Sequence, residues 1–478
     1  MLFNSFTFLI FIALVLPALA WMRRRGWRAE NWLLVGASCF FYGWWDWRFL
    51  GLLFFTSGID FVAAKKIAAE RSALGRKLYL GCSIGTNLVV LGFFKYCNFF
   101  AASLAHILRP LGVAMPERLL AVVLPVGISF YTFQAMSYTI DVYRGRTEAC
   151  RNLRDYLTYI TFFPQLVAGP IERAWEMLPQ YRRDRRVTGA DVAEGFYLIV
   201  WGLVKKTVVA DNLGLKVDRI FSQGTFSTAD VLVGALGFAF QIYADFSGYT
   251  DIARGLARWL GIELCLNFNL PYFSVNPREF WQRWHISLSR WLRDYLYISL
   301  GGNRIGEART YANLMITMLL GGLWHGAAWN FVLWGGYHGS LLVAHRWYEK
   351  GPRERVKAAV AGRAPQWLLR GACMAAMFCF TLYGWLLFRT HGTAQLLAVH
   401  EALWHWSLPA GNLLGRLGKL MPYIGLVCAV DAVTFRTGDP LYFSRRAPWA
   451  SALFYLFLMY AIIILGMTGG EQFIYFAF

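Results

Sequence analysis

Two histidines stand in apolar surroundings where ionisable side chains are rare. His325 lies in GGLWHGAAWNFVLWGGYHG, within the apolar stretch 311–346. A polar group at membrane depth is costly and by default marks a functional path. A neutral imidazole in such a place can accept a proton near pH 7, which is what a general base needs. Gly321, Gly322 and Gly326 leave room for a substrate to approach the backbone. The plainer alternative is a neutral histidine bonded to a carbonyl of a neighbouring helix. That alternative weighs more on His338 and His345, which sit seven apart on one helix face with no third ligand at metal-binding range.

His285 lies in EFWQRWHISLSRWLRDYLYIS, residues 279–299. Trp281, Trp284, Leu288, Trp291, Tyr295 and Ile298 step by three and four, so the spacing predicts one amphipathic helix with an aromatic stripe. Arg283, Arg290, Arg293 and Asp294 fall opposite, as on a helix lying in the plane of a membrane surface. At 100° per residue His285 falls on the apolar side, between Leu292 and Leu296. It reads either as a second polar group reaching towards a buried reaction point or as a snorkelling histidine on a surface helix. A third feature is the pair of Pro/Gly-broken segments LPVGISFYTFQAMSYTIDVYRG (124–145) and FFPQLVAGPIER (162–173), which fit transporters and intramembrane enzymes alike. There is no G-x-x-x-x-G-K-[ST] for phosphate binding and no G-x-S-x-G nucleophile elbow. The eight cysteines are scattered without a C-x-x-C pair and read as small buried hydrophobes.

The elements that must position these residues are membrane spans. Of 478 residues 57% are hydrophobic and 16% charged, with mean hydropathy +0.40. Charged residues usually run near 25% in soluble domains, so a disordered chain, a collagen-like repeat and an ordinary soluble globule are excluded. Apolar stretches of helical spanning length lie at 2–20, 31–46, 48–64, 78–100, 118–140, 194–212, 228–246, 311–326, 328–346, 366–388, 418–435 and 449–468. The predicted fold class is therefore all-α, a polytopic membrane protein with about 11–12 transmembrane helices plus re-entrant and interfacial helices.

The net charge of +19, from 47 Lys and Arg against 28 Asp and Glu, is either a nucleic-acid footprint or a topology signal. Alternating the spans gathers the basic clusters 23–28, 65–77, 144–154, 182–186, 346–357 and 436–446 on one face. The opposite loops 101–117 and 390–415 carry few cations, so the chain obeys the positive-inside rule. No span-free block could house a nucleic-acid-binding domain, so no nucleic-acid partner is expected. The run 2–20 ends in Ala18-Leu19-Ala20 but lacks a positive n-region, and it reads as an uncleaved first span with its N-terminus outside. Residues 155–170 (DYLTYITFFPQLVAGP) have basic clusters on both sides and cannot simply cross. Pro164, Gly169 and Pro170 predict a broken, re-entrant or interfacial element there. The chain is expected to form one membrane-embedded domain over 1–478. It comprises N-terminal spans 2–246, cytoplasm-side interfacial helices 251–310, catalytic spans 311–346 and C-terminal spans 366–468.

FWQRWHISLSRWLRDYLYISLGGNR (280–304) followed by LWHGAAWNFVLWGGYHG (323–339) closely resembles the membrane-bound O-acyltransferase (MBOAT) family. LPVGISFYTFQAMSYTIDVYRG, FFPQLVAGPI and YADFSGYTDIARG (243–255) are similar to its bacterial branch that acetylates polysaccharides such as alginate. The likeness runs over roughly 1–345, and Ser299 stands where that branch is expected to carry proline. The resemblance implies a helical ring around a tunnel, with His325 as the catalytic histidine and His285 as the second, motif-borne one. It further implies O-acylation, with no bound cofactor and acetyl-CoA as the expected co-substrate entering from the cytoplasm. Arg283, Trp284, Arg290, Arg293, Trp324 and Asn330 are the donor-binding candidates, since guanidinium groups suit the phosphates of CoA. The implied partners are periplasmic acetyltransferase-type proteins and a polysaccharide acceptor, and the implied setting is the bacterial inner membrane. Two alternatives stay open: a conduit for acyl groups that performs no bond chemistry, and an acyltransferase fed by a carrier-protein thioester, as in D-alanylation.

Overall fold

The structure, a computed structural model, describes residues 1–478 apart from 114, 117–118, 121–122, 353, 355–364, 407–409, 468–472 and 475–478. Arg353, Arg355 and Lys357 of the basic cluster 346–357 lie outside the described residues, as do parts of the predicted span 118–140 and of the loops 101–117 and 390–415. Eleven of the twelve predicted spans coincide with helices, whereas the predicted span 118–140 is helical only from Ile128 on, after a left-handed Gly127; no strand occurs among the described residues. Among the described residues five helices satisfy length and apolarity together for crossing a membrane: Phe6–Arg23, Ala73–Leu111, Thr228–Trp259, Gln366–Arg389 and Pro448–Leu465. Several of the others carry polar side chains directed into protein, where packing partners replace hydrocarbon. In Ile128–Tyr143 every residue but the last is buried, Gln134, Ser137, Thr139 and Asp141 among them. Conversely, Phe6, Leu14, Ile463 and Ile464 are among the most exposed apolar residues, as lipid-facing positions should be.

The chain divides into two compact units, Met1–Ile199 with Tyr249–Cys265, and Val200–Gly248 with Leu266–Phe478. The first holds α1 (Phe6–Arg23), α2 (Trp27–Asp46), α3 (Arg48–Ala69), α4 (Ala73–Leu91), α5 (Cys97–Leu108), α6 (Ile128–Tyr143), α7 (Leu153–Thr161), α8 (Phe163–Leu166), α9 (Ala174–Tyr181) and most of α10 (Gly189–Leu203). Its basic clusters are tied by a buried carboxylate. Glu30 accepts from Arg23 at 2.8 Å and from Arg185 at 3.0 Å, and Arg185 also reaches Asn31. The predicted break near Pro164 is present: the helix stops at Phe162 and restarts as the four-residue α8. The segment 155–170 is buried throughout, and its loose backbone ends are met by side chains. Gln134 and Gln165 both donate to the Tyr159 carbonyl at 2.8 Å, and the Phe163 amide donates to Ser38. Irregular backbone in an apolar chain needs such internal partners.

The second unit holds α11 (Asp211–Phe221), the greater part of α12 (Thr228–Trp259), α13 (Pro277–Arg283), α14 (Ile286–Trp291), α15 (Glu307–His325), α16 (Trp329–Lys350), α17 (Gln366–Arg389), α18 (Gly392–Trp404), α19 (Ala410–Gly418), α20 (Met421–Thr437) and α21 (Pro448–Leu465). A π-helical turn, Val204–Ala210, precedes α11, and there Lys206 is shared between Asp211 and Asp245 at 2.8 Å each.

The pair α15 and α16 packs more extensively than any other. Its backbones nearly touch: a Cβ on Gly322 would meet the Phe331 carbonyl at 2.1 Å, and one on Gly335 would meet the Met318 carbonyl at 2.3 Å. Gly322→Ala and Gly335→Ala should each destabilise the protein by about 1–3 kcal/mol, the usual range for overpacking. In detergent, their thermal unfolding midpoints should fall by several degrees. Gly425→Ala, on a helical site with open space around it, should leave the midpoint unchanged or raise it.

Candidate functional site

The predicted helix 279–299 is interrupted at the residue that matters. α13 ends at Arg283, α14 begins at Ile286, and between them His285 adopts a left-handed conformation with φ 42°. Such a conformation costs a non-glycine residue about 1–3 kcal/mol and persists only where its surroundings enforce it. Here the enforcing segment is 266–270. The Asn267 carbonyl accepts from the Ile286 amide at 2.9 Å, and its Oδ1 accepts from both the amide and the hydroxyl of Ser287 at 3.1 and 2.9 Å. The Asn269 amide donates to the Arg283 carbonyl at 2.9 Å. After α14 the chain continues as a π-helical turn, Leu292–Tyr297. Hydrophobic periodicity alone could not reveal the break, because the stripe resumes in phase beyond it. Nor does the stripe face lipid as an in-plane helix would: Trp284, Leu288, Trp291 and Tyr295 are buried in protein, and only Ile298 is well exposed.

The kink turns the His285 ring into a closed aromatic setting. Its ring centroid lies 4.7 Å from Phe246 edge to face, 6.3 Å from Phe268 in a parallel stack and 5.8 Å from Trp324. His325 is 6.3 Å away, centroid to centroid. The second histidine is the last residue of α15 and is itself walled by Trp324 at 5.1 Å, Trp334 at 5.0 Å and Phe388 at 5.5 Å. His285 is fully buried and His325 is 4% exposed, so the two rings share a dry site. Burial holds the His285 imidazole far below its ordinary pKa, at about 3, so it is neutral at physiological pH. The C-terminal position of His325 matters in another way: a helix C-terminus carries partial negative charge and favours a cation formed beside it. A base placed there is helped at the moment it takes a proton.

His338 sits one aromatic layer further on, stacked on Phe280 at 5.8 Å and edge-on to Trp334 at 4.9 Å. Its ring occupies the space left by Gly384, where a Cβ would lie 2.8 Å from Nε2. His345 lies apart from this group, 3.7 Å from Glu349, at the rim of a cavity.

That cavity, about 810 Å³, is lined by α13, α14, the turn after it, α15 and α16. Four arginines reach it: Arg278, Arg290, Arg293 and Arg346. Arg293 bonds Asp294 at 2.7 Å and Arg346 lies 3.3 Å from Glu307, whereas Arg278 and Arg290 have no ion pair among the described residues. Neither histidine lines the cavity, but Ile286, the residue after His285, does, together with Leu292 and Met318.

The donor-binding candidates therefore separate. Arg290 and Arg293 face the cavity. Arg283 does not; it is held by Glu279 at 2.8 Å and by the Asn269 carbonyl at 3.0 Å, and the i, i+4 spacing of that pair was visible in the sequence. Trp284 is core, edge-on to Phe268 and tilted against Trp385. Trp324 belongs to the histidine enclosure, and Asn330 spends its amide on the Phe388 carbonyl, fixing the ring that walls His325. Sequence reasoning missed Arg278 and Arg346, which adjoin the motif, and Asn267, which precedes it. Among the described residues no group of three His, Cys, Asp or Glu could hold a metal ion.

Comparison with known proteins gives concordant results. The model of the membrane-bound O-acyltransferase family matches residues 149–355. The Pseudomonas aeruginosa protein named probable alginate O-acetylase AlgI is 40% identical over 461 residues, covering 95% of this chain and 85% of that protein. A peptidoglycan O-acetyltransferase of Helicobacter pylori is 32% identical over 494 residues, covering 93% of this chain and 91% of that protein. A teichoic acid D-alanyltransferase of Bacillus subtilis is 29% identical over 246 residues, 47% of this chain and 60% of that protein.

Asn267→Ala removes the acceptor of two buried donors, and each buried group left unmet costs about 1–3 kcal/mol. The expected outcome is a lower thermal midpoint together with lost acyl transfer, since the left-handed turn at His285 loses its support. Both are read on purified protein in detergent. Asn330→Ala should cost less stability than Asn267→Ala, its amide being only partly buried.

Proposed function

The chain belongs to the membrane-bound O-acyltransferase family, and from that membership we propose that it moves an acetyl group from cytoplasmic acetyl-CoA to the hydroxyl of an acceptor serving an exported polysaccharide. An O-acyltransferase of this family is a multi-pass membrane enzyme, which sets aside a conduit without bond chemistry. The proposal extends to the donor, the acceptor and the bacterial inner membrane as the setting.

The observation that carries the reading is the pair of buried histidines 6.3 Å apart, next in sequence and fold to a cavity of about 810 Å³ ringed by arginines. Acetyl-CoA fits the cavity's character: phosphate oxygens for Arg278 and Arg290, and an apolar inner wall of Ile286, Leu292 and Met318 for the pantetheine arm. In the reaction the acceptor oxygen attacks the thioester carbonyl while His325 takes the hydroxyl proton. The carbon–sulfur bond then breaks, the proton passes to the leaving thiolate, and ester and free CoA remain with His325 neutral again. His285, neutral throughout, presents one ring N–H that can hold the oxygen on which charge develops. Water is kept from competing with the hydroxyl by Phe246, Phe268, Trp324, Trp334 and Phe388.

The names of the relatives support acetyl as the group and a polysaccharide as the destination, with periplasmic acetyltransferase-type proteins as the partners that place the ester on sugar. The D-alanylating relatives match under half of the chain, so a carrier-protein thioester is the weaker reading of the donor.

With labelled acetyl-CoA and purified protein, His325→Ala should lower CoA release by about 10²–10⁴-fold, the usual worth of a general base. Wild-type release by that variant, at normal membrane levels, would falsify the assignment. Arg278→Ala and Arg290→Ala should raise KM for acetyl-CoA about tenfold with kcat within a factor of two, and the effect should shrink at high salt. Arg283→Ala should leave KM unchanged.

A further inference from the structure

A second charged cavity, of about 470 Å³, lies in the same unit at the start of α12, where α11, α12 and the end of α19 meet. Its cations are Lys216, Arg219, Arg416 and Lys419. Arg416 is matched by Asp230. The other three have no carboxylate partner among the described residues. Lys216 reaches only the Asn212 carbonyl, at 3.5 Å, and lies 4.9 Å over the Tyr423 ring. Burial, with Arg219 and Lys419 close by, holds its ammonium below the ordinary lysine pKa, as expected of crowded cations without a counter-ion.

The position of this charge is anomalous. α12 is long and apolar enough to span a membrane, and its far end runs into the basic segment after residue 251. The cavity at its beginning therefore lies on the side that the positive-inside bias leaves poor in cations. Three unmatched positive charges there need another explanation. The surroundings supply it. α11 and α19 are short amphipathic helices, and beside the cavity Leu215, Leu414 and Met421 are exposed apolar side chains at the end of a span. Helices that pair an exposed apolar face with cations lie at a lipid headgroup boundary.

We propose that this cavity binds the phosphate of an anionic phospholipid from the extracytoplasmic leaflet. Arg219 and Lys419 contact the phosphate oxygens, Lys216 closes the site from below, and the acyl chains run along Leu215 and Met421. A soluble polyanion such as a uronate chain would satisfy the cations but leave those apolar side chains facing water, which is why a lipid is favoured. The site stands apart from the acyl-transfer machinery, so its failure would leave the proposed function intact.

Native mass spectrometry of the full-length protein in detergent tests this, with phosphatidylglycerol and phosphatidylcholine as probes and a uronate tetramer as the soluble alternative. Wild type should retain phosphatidylglycerol adducts at least threefold over phosphatidylcholine, and phosphatidylglycerol should raise its thermal midpoint. The double variant Arg219→Gln/Lys419→Gln should lose both effects while eluting as a single folded species. A charge removal on the opposite side, Arg71→Gln, should keep them. Equal adducts in wild type and double variant would overturn the proposal, as would equal retention of the two lipids. Protection by the uronate tetramer without protection by phosphatidylglycerol would assign the cavity to a polysaccharide instead.

Discussion

Everything at the site depends on two backbones meeting without side chains between them. Gly322 of α15 lies against the Phe331 carbonyl, and Gly335 of α16 lies against the Met318 carbonyl. That contact fixes the depth and rotation of both helices together. It brings Trp334 against the His325 ring and sets His338 one layer behind it. It also leaves a turn of only three residues, Gly326 to Ala328, to reverse the chain directly after the histidine. A wider separation would admit water beside His325, and water would compete with any hydroxyl acceptor of an acyl group. Close packing of interiors leaves few voids that water could enter.

The second requirement is met by a different device. His285 points into the aromatic enclosure, whereas a continuous helix would carry it along one face with its neighbours. An extended Trp284 followed by a left-handed His285 breaks the helix without breaking the hydrophobic stripe. The cost is offset by Asn267, whose backbone and side chain take the first donors of α14. Asn267 thus acts on His285 as a brace, across a gap in sequence but at hydrogen-bond distance.

How much of this the sequence disclosed follows from the range of each interaction. The spans and the break near Pro164 were legible because apolar length and proline act locally. The two histidines were legible because ionisable residues stand out in apolar sequence. The helix 279–299 was misread because a period of 3.6 continues through one residue of different handedness. Arg283 is turned from the cavity by Glu279, one turn earlier, a pairing that the i, i+4 spacing carries. Arg346 was legible only as the first residue of a basic cluster, and Asn267 reaches His285 from another segment, with nothing local to mark it. The cationic cavity by α12 was invisible for a related reason: its charges are single residues spread over 216–419, too sparse to register as a cluster.

The enclosure of the histidines also fixes an order of events. Its walls come from Phe246 and Phe268, then His285, then Trp324 and Trp334, and last from Phe388 on α17. About 60 residues separate His325 from Phe388 in the chain. At translation rates near 5–20 residues per second the nascent protein spends on the order of several seconds with α15 made and its final wall still unsynthesised. During that interval the His325 ring lacks one of its walls. The enclosure is complete only when α17 arrives with Phe388.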